Sequence, residues 1–596
     1  MYQVVNEIQE QHIPTNAFLG LNRREEVNAG EFKDVLNMTN DEYPVLKTRK
    51  GWGIANAGGI GDQVQGALLK KNFAIVKNKY LYYGLNNTAI NSTPFSAGDK
   101  QLVSMGAYVI VFPDGYYYNT EKPADKGYIE RKFNTGAVTT SFTLCKQDGT
   151  AYSTPTVSSI PPDNPTNGEL WIDTNETPHV LKQWADTSSM WVTIPTVYCK
   201  IASTGIGQGL KVYDSVEISG IVASGNPYQA QLTFLNGTMI VYDCGDDYIV
   251  VAGIIDGATT LTDDIHVDMT MPSMDFVCES NNRLWGCKYG IVGGEPVNEI
   301  YACKLGDFRN WRSFMGLSTD SYTVSLGSDG AFTGCVNYLG YPIFFKENMI
   351  HKIYGTMPSN YQVQNTVARG VKKGSWRSLT VIDEILYYRS PQDVVAYDGS
   401  LPASISDNLG DINHGDTKLG DGTFGDLNGI LAAQFDDSTE SHFLYNPKTR
   451  TWVRTSYPSA VYFGSSGGKE YCVDGAGNVY ILNPDGSDSS IVEWENKPYF
   501  MLYTARMAYG DSNNTMKLLK VALRMRIELG AFVRVLAQYD EEQHMSVIRE
   551  FHASKLGTYV LPIFIRKCDH VRLGIEGEGD VTIFSIDQIY TEGANR

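Results

Sequence analysis

The sequence predicts an all-β protein: a β-propeller of about six blades, carrying inserted small β domains and ending in a C-terminal antiparallel β-sandwich. Three observations predict it. Between Met274 and Asn483, pairs of apolar, aromatic-rich runs recur, each pair flanking a few residues of Asn, Asp, Gly or Pro, as β-hairpins do. Gly (58) and Tyr (37) are plentiful, which favours strands joined by tight turns. Long amphipathic helical patterns are absent, and hairpins every few tens of residues without intervening helix are the sequence form of a blade array. No Trp-Asp dipeptide closes each unit, which sets the chain apart from the common propeller repeats.

The 596 residues exceed one ordinary core, and 42% hydrophobic with 19% charged residues describes a globular chain. Residues 1–60 read as an N-terminal arm of extended segments and turns lying on the body. Residues 61–124 read as a first blade, with hairpins at 67–83 and 109–119, the second turning at Pro113-Asp-Gly115. Residues 125–270 lack the blade rhythm and read as inserted β domains: a Trp-rich unit, then a small barrel or sandwich from Gly209 to Ile254. The remaining blades fill 271–485, as 274–313, 321–355, 370–403, 427–456 and 458–483. The clearest hairpins are Phe344–Tyr354, Leu386–Tyr397, Phe443–Val453 and Tyr471–Leu482. Residues 486–596 read as the sandwich, because Val521-Leu523-Met525-Ile527 and Val571-Leu573-Ile575 alternate as a sheet with one solvated face does.

Trp171, Trp184 and Trp191 fall among Pro, Asn and Gly in the Trp-rich unit. Two readings stand: an exposed aromatic platform that stacks on sugar rings, or large side chains building the core of a very small module. They are the candidate partner or glycan contacts.

No motif commits the chain to catalysis. A glycosidase needs two carboxylates about 5–10 Å apart, and no run among the 67 acids stands out. Paired acids occur at a few places, such as Asp263-Asp264, and Asp436-Asp437 with Glu440. Asp411, Asp416 and Asp421 are spaced too widely for a calcium loop. Gly464-Ser-Ser-Gly-Gly468 has the letters of a nucleophile elbow, but another strand follows where a helix is required, so a Gly-Ser turn is expected. His351 reads as a strand-surface residue rather than a ligand. Neither cofactor nor metal is expected. Nine unclustered Cys read as thiols buried as small hydrophobes in a reducing compartment. No secretory leader is read at the N-terminus, and no apolar run approaches transmembrane length. The net charge of -18 argues against tight wrapping of nucleic acid. It fits either plain solubility or an acidic lumen along which a polyanion slides.

Several stretches carry a resemblance. Phe18-Leu-Gly-Leu-Asn-Arg-Arg24, Gly30-Glu-Phe-Lys-Asp-Val-Leu-Asn37 and Tyr43-Pro-Val-Leu-Lys-Thr-Arg49-Lys-Gly51 resemble the opening of tail proteins of tailed bacteriophages. The Trp-rich unit is similar to one found in phage tail-fibre chains. With Val76–Tyr82, Asn282-Arg283-Leu-Trp285, Phe344–Tyr354 and Ala368–Ser375, the order of elements resembles the tail hub, or nozzle, of short-tailed bacteriophages, the packaged-DNA stabilisation proteins. The insertion of about 145 residues departs from that pattern. The resemblance implies a structural virion protein of the tail without enzymatic activity. In that family six copies form a ring beneath the portal and adaptor, extend the DNA channel, retain packaged double-stranded DNA without reading its sequence, and anchor tail fibres. Two alternatives stay open: a tail appendage that binds or cleaves glycans, and an ordinary cellular propeller scaffold.

Overall fold

The structure is a computed structural model. It describes residues 10–595 apart from 26, 60, 85–87, 414–417, 437–441, 483–490, 493–494, 496, 508–513, 541 and 563–567. The chain is all-β: among the described residues the one α-helix is the five-residue segment Gln229–Thr233. No helix there is long and apolar enough to cross a membrane. Two compact units are formed, one from residues 1–102, 330–352 and 364–596, the other from 103–329 and 353–363.

Six successive antiparallel hairpin sheets span 64–83, 101–128, 276–325, 334–367, 380–404 and 460–482, and a further four-stranded hairpin array, 422–454, is continuous with the large sheet of the last strands. The first sheet has three strands, 460–482 supplies three and takes a fourth from the N-terminal arm, and the others have four. Residues 61–124, expected to form one blade, therefore hold two sheets. Val64–Leu69 and Gln101–Met105 each begin a sheet of their own, and their short strands carry too little pattern to reveal it.

A common device starts most of these sheets. Ser280 pairs with Arg283, Ile382 with Ile385, Leu427 with Ile430 and Ser466 with Lys469, each across a two-residue turn. The turn residues Asn281-Asn282, Asp383-Glu384, Asn428-Gly429 and Gly467-Gly468 all have positive φ. Two consecutive left-handed residues match the right-handed twist of the flanking strands. The four hairpins read from the sequence are present, with Phe345↔Ile350, Tyr388↔Val395, Tyr445↔Trp452 and Val473↔Val479 in register.

In the first unit, sheets pack face to face in succession. Ile343, Phe345 and Ile350 meet Leu386, Tyr388 and Val395 in one core, and Tyr387 and Val394 join Phe424, Leu431 and Phe443 in the next. A Cβ at Gly425 would collide with Phe463, so the strands Gly422–Leu427 and Ala460–Ser466 approach closely only because residue 425 is glycine. Phe73 and Ile75 pack on Val473 and Val479. In the second unit, Val103, Ile110 and Phe112 share a core with Val277, Leu284 and Trp311.

The N-terminal arm is woven into the first unit rather than laid over it. Trp52–Asn56 supplies the fourth strand of the 460–482 sheet, pairing with Val479–Leu482. Gln11–Thr15 pairs with the final strand, and Asp34–Leu36 runs between Thr451–Arg454 and Tyr499–Tyr503. Asn37, at φ 56, donates to Ser456 Oγ and the Tyr499 carbonyl and accepts from Arg49 Nε and the Ser456 N–H. Buried Arg49 completes a two-pronged pair with Glu495 at 2.7 and 3.1 Å.

Where a terminal sandwich was expected, the last strands form part of one large sheet. Its spine is the strand Asn514–Tyr539, which pairs with Val581–Asn595 along its first half and Val571–Glu578 along its second. The register breaks between Ile527 and Phe532, around Gly530 at φ 83. Leu523, Met525, Ile527, Val533, Val535, Leu573 and Ile575 belong to one core, so the alternation read from the sequence does mark a buried face.

The insertion is nested rather than sequential. Thr140–Cys145 precedes the Trp-rich unit yet pairs with Tyr198–Ala202 in a seven-stranded sheet that includes Ser215–Ser219, Gly237–Gly245 and Tyr248–Ala252. The Trp-rich sheet, Thr156–Ser158 and Leu170–Asp173 with Val180–Ala185 and Met190–Thr193, is an excursion from it.

Candidate functional site

In the Trp-rich sheet the alternation of strand side chains separates two faces. Leu170, Ile172 and Leu181 point into the core of the seven-stranded sheet. Trp171, Trp184 and Trp191 are brought together on separate strands, Trp184 directly opposite Trp191. Trp191 meets Trp171 edge-on at 5.4 Å and Trp184 edge-on at 5.6 Å. Trp171 is only 5% exposed; its indole N–H donates to the Ser158 carbonyl at 3.0 Å, and the Lys182 ammonium lies over its ring. The same ammonium, 2.8 Å from Asp173, holds that carboxyl below the usual carboxylate range. The Trp184 N–H donates to Asp186 at 2.8 Å. Trp171 thus lies buried on this face of the sheet, beneath Trp191 and Lys182. Trp184 and Trp191, half-buried, retain some accessible ring surface.

Beside this sheet lies a cleft of about 710 Å³, lined from three segments distant in sequence. The start of Val180–Ala185 and the link 193–197 give one wall, the short helix gives another, and 252–256 closes it. His179 Nδ1 stands 2.9 and 3.0 Å from the Asp256 oxygens and 3.0 Å from Gln231 Nε2. Gln231 Oε1 accepts the Asp256 backbone N–H at 3.2 Å. Ile194, Pro195 and Ile254 supply apolar wall, and Phe234, 70% exposed, stands at its margin. This volume falls within the range of about 300–1,000 Å³ usual for small-molecule sites. Sequence reasoning missed the trio because His179 and Asp256 are 77 residues apart with no motif joining them.

The other candidates have structural duties. Asp263 accepts the Val222 and Ala223 N–H groups, and Asp264 accepts that of Gly136, so the pair braces turns. Asp421 is paired with Lys372. Asp416, Asp437 and Glu440 lie outside the described residues. His351 corrects the sequence reading: it is fully buried, 2.6 Å from Asn365 Oδ1, and burial lowers its pKa. Its strand is covered on both faces, so alternation does not bring it to solvent. Gly467-Gly468 is the turn of a plain hairpin. Among the described residues no cluster of three or more His, Cys, Asp or Glu could hold a metal. The nine cysteines are unpaired with one another, and all but Cys244 and Cys335 are buried; burial pushes the Cys199 thiol up to about 12.

No protein-family model matches the chain, and no curated protein does. Among solved structures, an exo-beta-1,3-galactanase from Phanerochaete chrysosporium is similar at 9% identity and TM-score 0.20, covering 52% of this chain and 94% of its own. A glycoside hydrolase family 43 arabinoxylan arabinofuranohydrolase from Bacillus subtilis is similar at 9% identity and TM-score 0.14, covering 98% and 96%. At these scores the likeness carries no argument about fold or activity.

Proposed function

We propose that the chain is a structural virion protein, the tail hub or nozzle of a short-tailed bacteriophage, with its successive sheets as propeller blades and its bent terminal sheet closing as a sandwich. The observation that carries this reading is the way the chain ends are locked. The strand Trp52–Asn56 completes the sheet of 460–482, and four further N-terminal strands are hydrogen-bonded into the terminal sheet. Backbone ladders that join the two ends of a chain resist peeling, which suits a wall loaded by packaged DNA. The net charge of -18 accords with this reading without selecting it, since an acidic channel lets a polyanion pass without sticking. In this role six copies form a ring below the portal and adaptor and anchor tail fibres. Quantitative mass spectrometry of purified particles tests it: the reading expects six copies per particle, and absence from the particle or a different copy number counts against it.

A second reading, a glycan-directed tail appendage, is favoured by the half-buried Trp184 and Trp191 and the neighbouring cleft.

A further inference from the structure

We propose that the cleft between the Trp-rich sheet and the helix Gln229–Thr233 is a binding site for a neutral saccharide. The inference deepens the glycan reading by assigning ligand class and site, and it moves the contact from the tryptophans to the cleft.

One hydrogen-bonding capacity in the cleft is unmet. His179 Nδ1 faces both Asp256 oxygens, at 2.9 and 3.0 Å, and the tautomer with its proton on Nδ1 satisfies that carboxylate. Gln231 Nε2, a donor, lies 3.0 Å from the same nitrogen, so two donors then face each other. Turning the Gln231 amide over does not help. It would set an N–H against the Asp256 backbone N–H, which Gln231 Oε1 now accepts at 3.2 Å. The Gln231 amide hydrogens therefore lack an acceptor at Nδ1. His179 Nε2 in turn carries a lone pair with no partner among the described residues. The cleft thus offers a donor, an imidazole acceptor and a carboxylate within one small area.

The surroundings select the ligand. No Lys or Arg is among the described residues lining the cleft, so it has no counter-charge for a phosphate or carboxylate. Among the described residues lining the cleft Asp256 is the only acid, and its carboxylate accepts the His179 Nδ1–H, which leaves too few oxygen ligands for a metal cation. A group that both donates and accepts fits this set, and adjacent sugar hydroxyls do both. Phe234 presents an exposed ring at the margin, and Ile194, Pro195 and Ile254 form apolar wall. The C–H face of a pyranose covers such a surface while its hydroxyls reach the polar trio.

The test is a glycan array of neutral and acidic oligosaccharides together with bacterial surface polysaccharides, probed with the full chain and with Phe234→Ser, Gln231→Ala, Asp256→Asn and Trp191→Ala. Phe234 is exposed, so its replacement leaves folding intact, and a melting curve for each variant checks this. The inference expects binding to one or more neutral glycans, weakened at least tenfold by Phe234→Ser and by Gln231→Ala but little by Trp191→Ala. Binding that Trp191→Ala abolishes and the cleft variants leave unchanged overturns the cleft while sparing the glycan reading. Binding confined to acidic glycans overturns the ligand class. No binding by the wild-type chain to any glycan overturns both.

Discussion

Trp285 shows how single side chains carry this fold. It is 2% exposed, its indole N–H reaches the Ser280 carbonyl at 3.3 Å, and it meets Tyr361 edge-on at 5.1 Å. Replacement by Ala should cost ~3–5 kcal/mol in chemical denaturation; a near-neutral shift contradicts the packing. His442 tests burial differently. Burial depresses its pKa to about 4, below the ordinary histidine value. Its contribution is therefore intact above the unfolded-state pKa and is lost as pH falls toward the folded-state value. Between pH 7.5 and 5 the wild type should lose about 2 kcal/mol more stability than His442→Gln, a difference that denaturation curves at the two pH values would read. At Leu339, an exposed residue at φ 50 in the turn between Tyr338 and Tyr341, the left-handed backbone disfavours a side chain. Leu339→Gly should stabilise the fold by about 1 kcal/mol, seen as a higher melting midpoint. Turns were legible in the sequence where both residues are Asn or Gly, as at 281–282 and 467–468. They were hidden at Asp383-Glu384 and Leu339-Gly340, because tertiary pairing imposes the same turn there on residues that do not advertise it.

At the scale of elements, hairpins were legible and their partners were not. A hairpin is a local object: two runs and a turn suffice to announce Phe344–Tyr354 or Tyr471–Leu482. The strand Trp52–Asn56 announces nothing, since its partner lies more than 400 residues away and no composition rule links them. For the same reason Thr140–Cys145 could not be assigned to the sheet it shares with Tyr198–Ala202, and the insertion read as two units in series. The His179, Gln231 and Asp256 cluster was hidden likewise, whereas the tryptophans were visible by residue type and only their burial was not. Arg49 is one of the points that fasten the arm. Arg49→Ala strips Glu495 of its two-pronged partner and Asn37 of one donor, at a cost of about 3–5 kcal/mol. Because the lesion detaches the arm, hydrogen exchange should rise in both Trp52–Asn56 and Val479–Leu482. Unchanged protection there would contradict the stitching.

At the scale of the whole molecule, composition and charge bound the answer without choosing it. An all-β chain of 596 residues with a net charge of -18 serves equally as a channel wall or as a soluble scaffold. What favours the wall is that N-terminal strands are tied to the last strands by backbone ladders. The most direct test of that account is where the protein sits in the particle. Antibodies raised to residues 125–270, gold-labelled on purified phage and imaged, should mark a ring on the tail below the capsid. Label confined to outlying fibres, or none on particles that mass spectrometry shows to lack the chain, would contradict the tail-hub account.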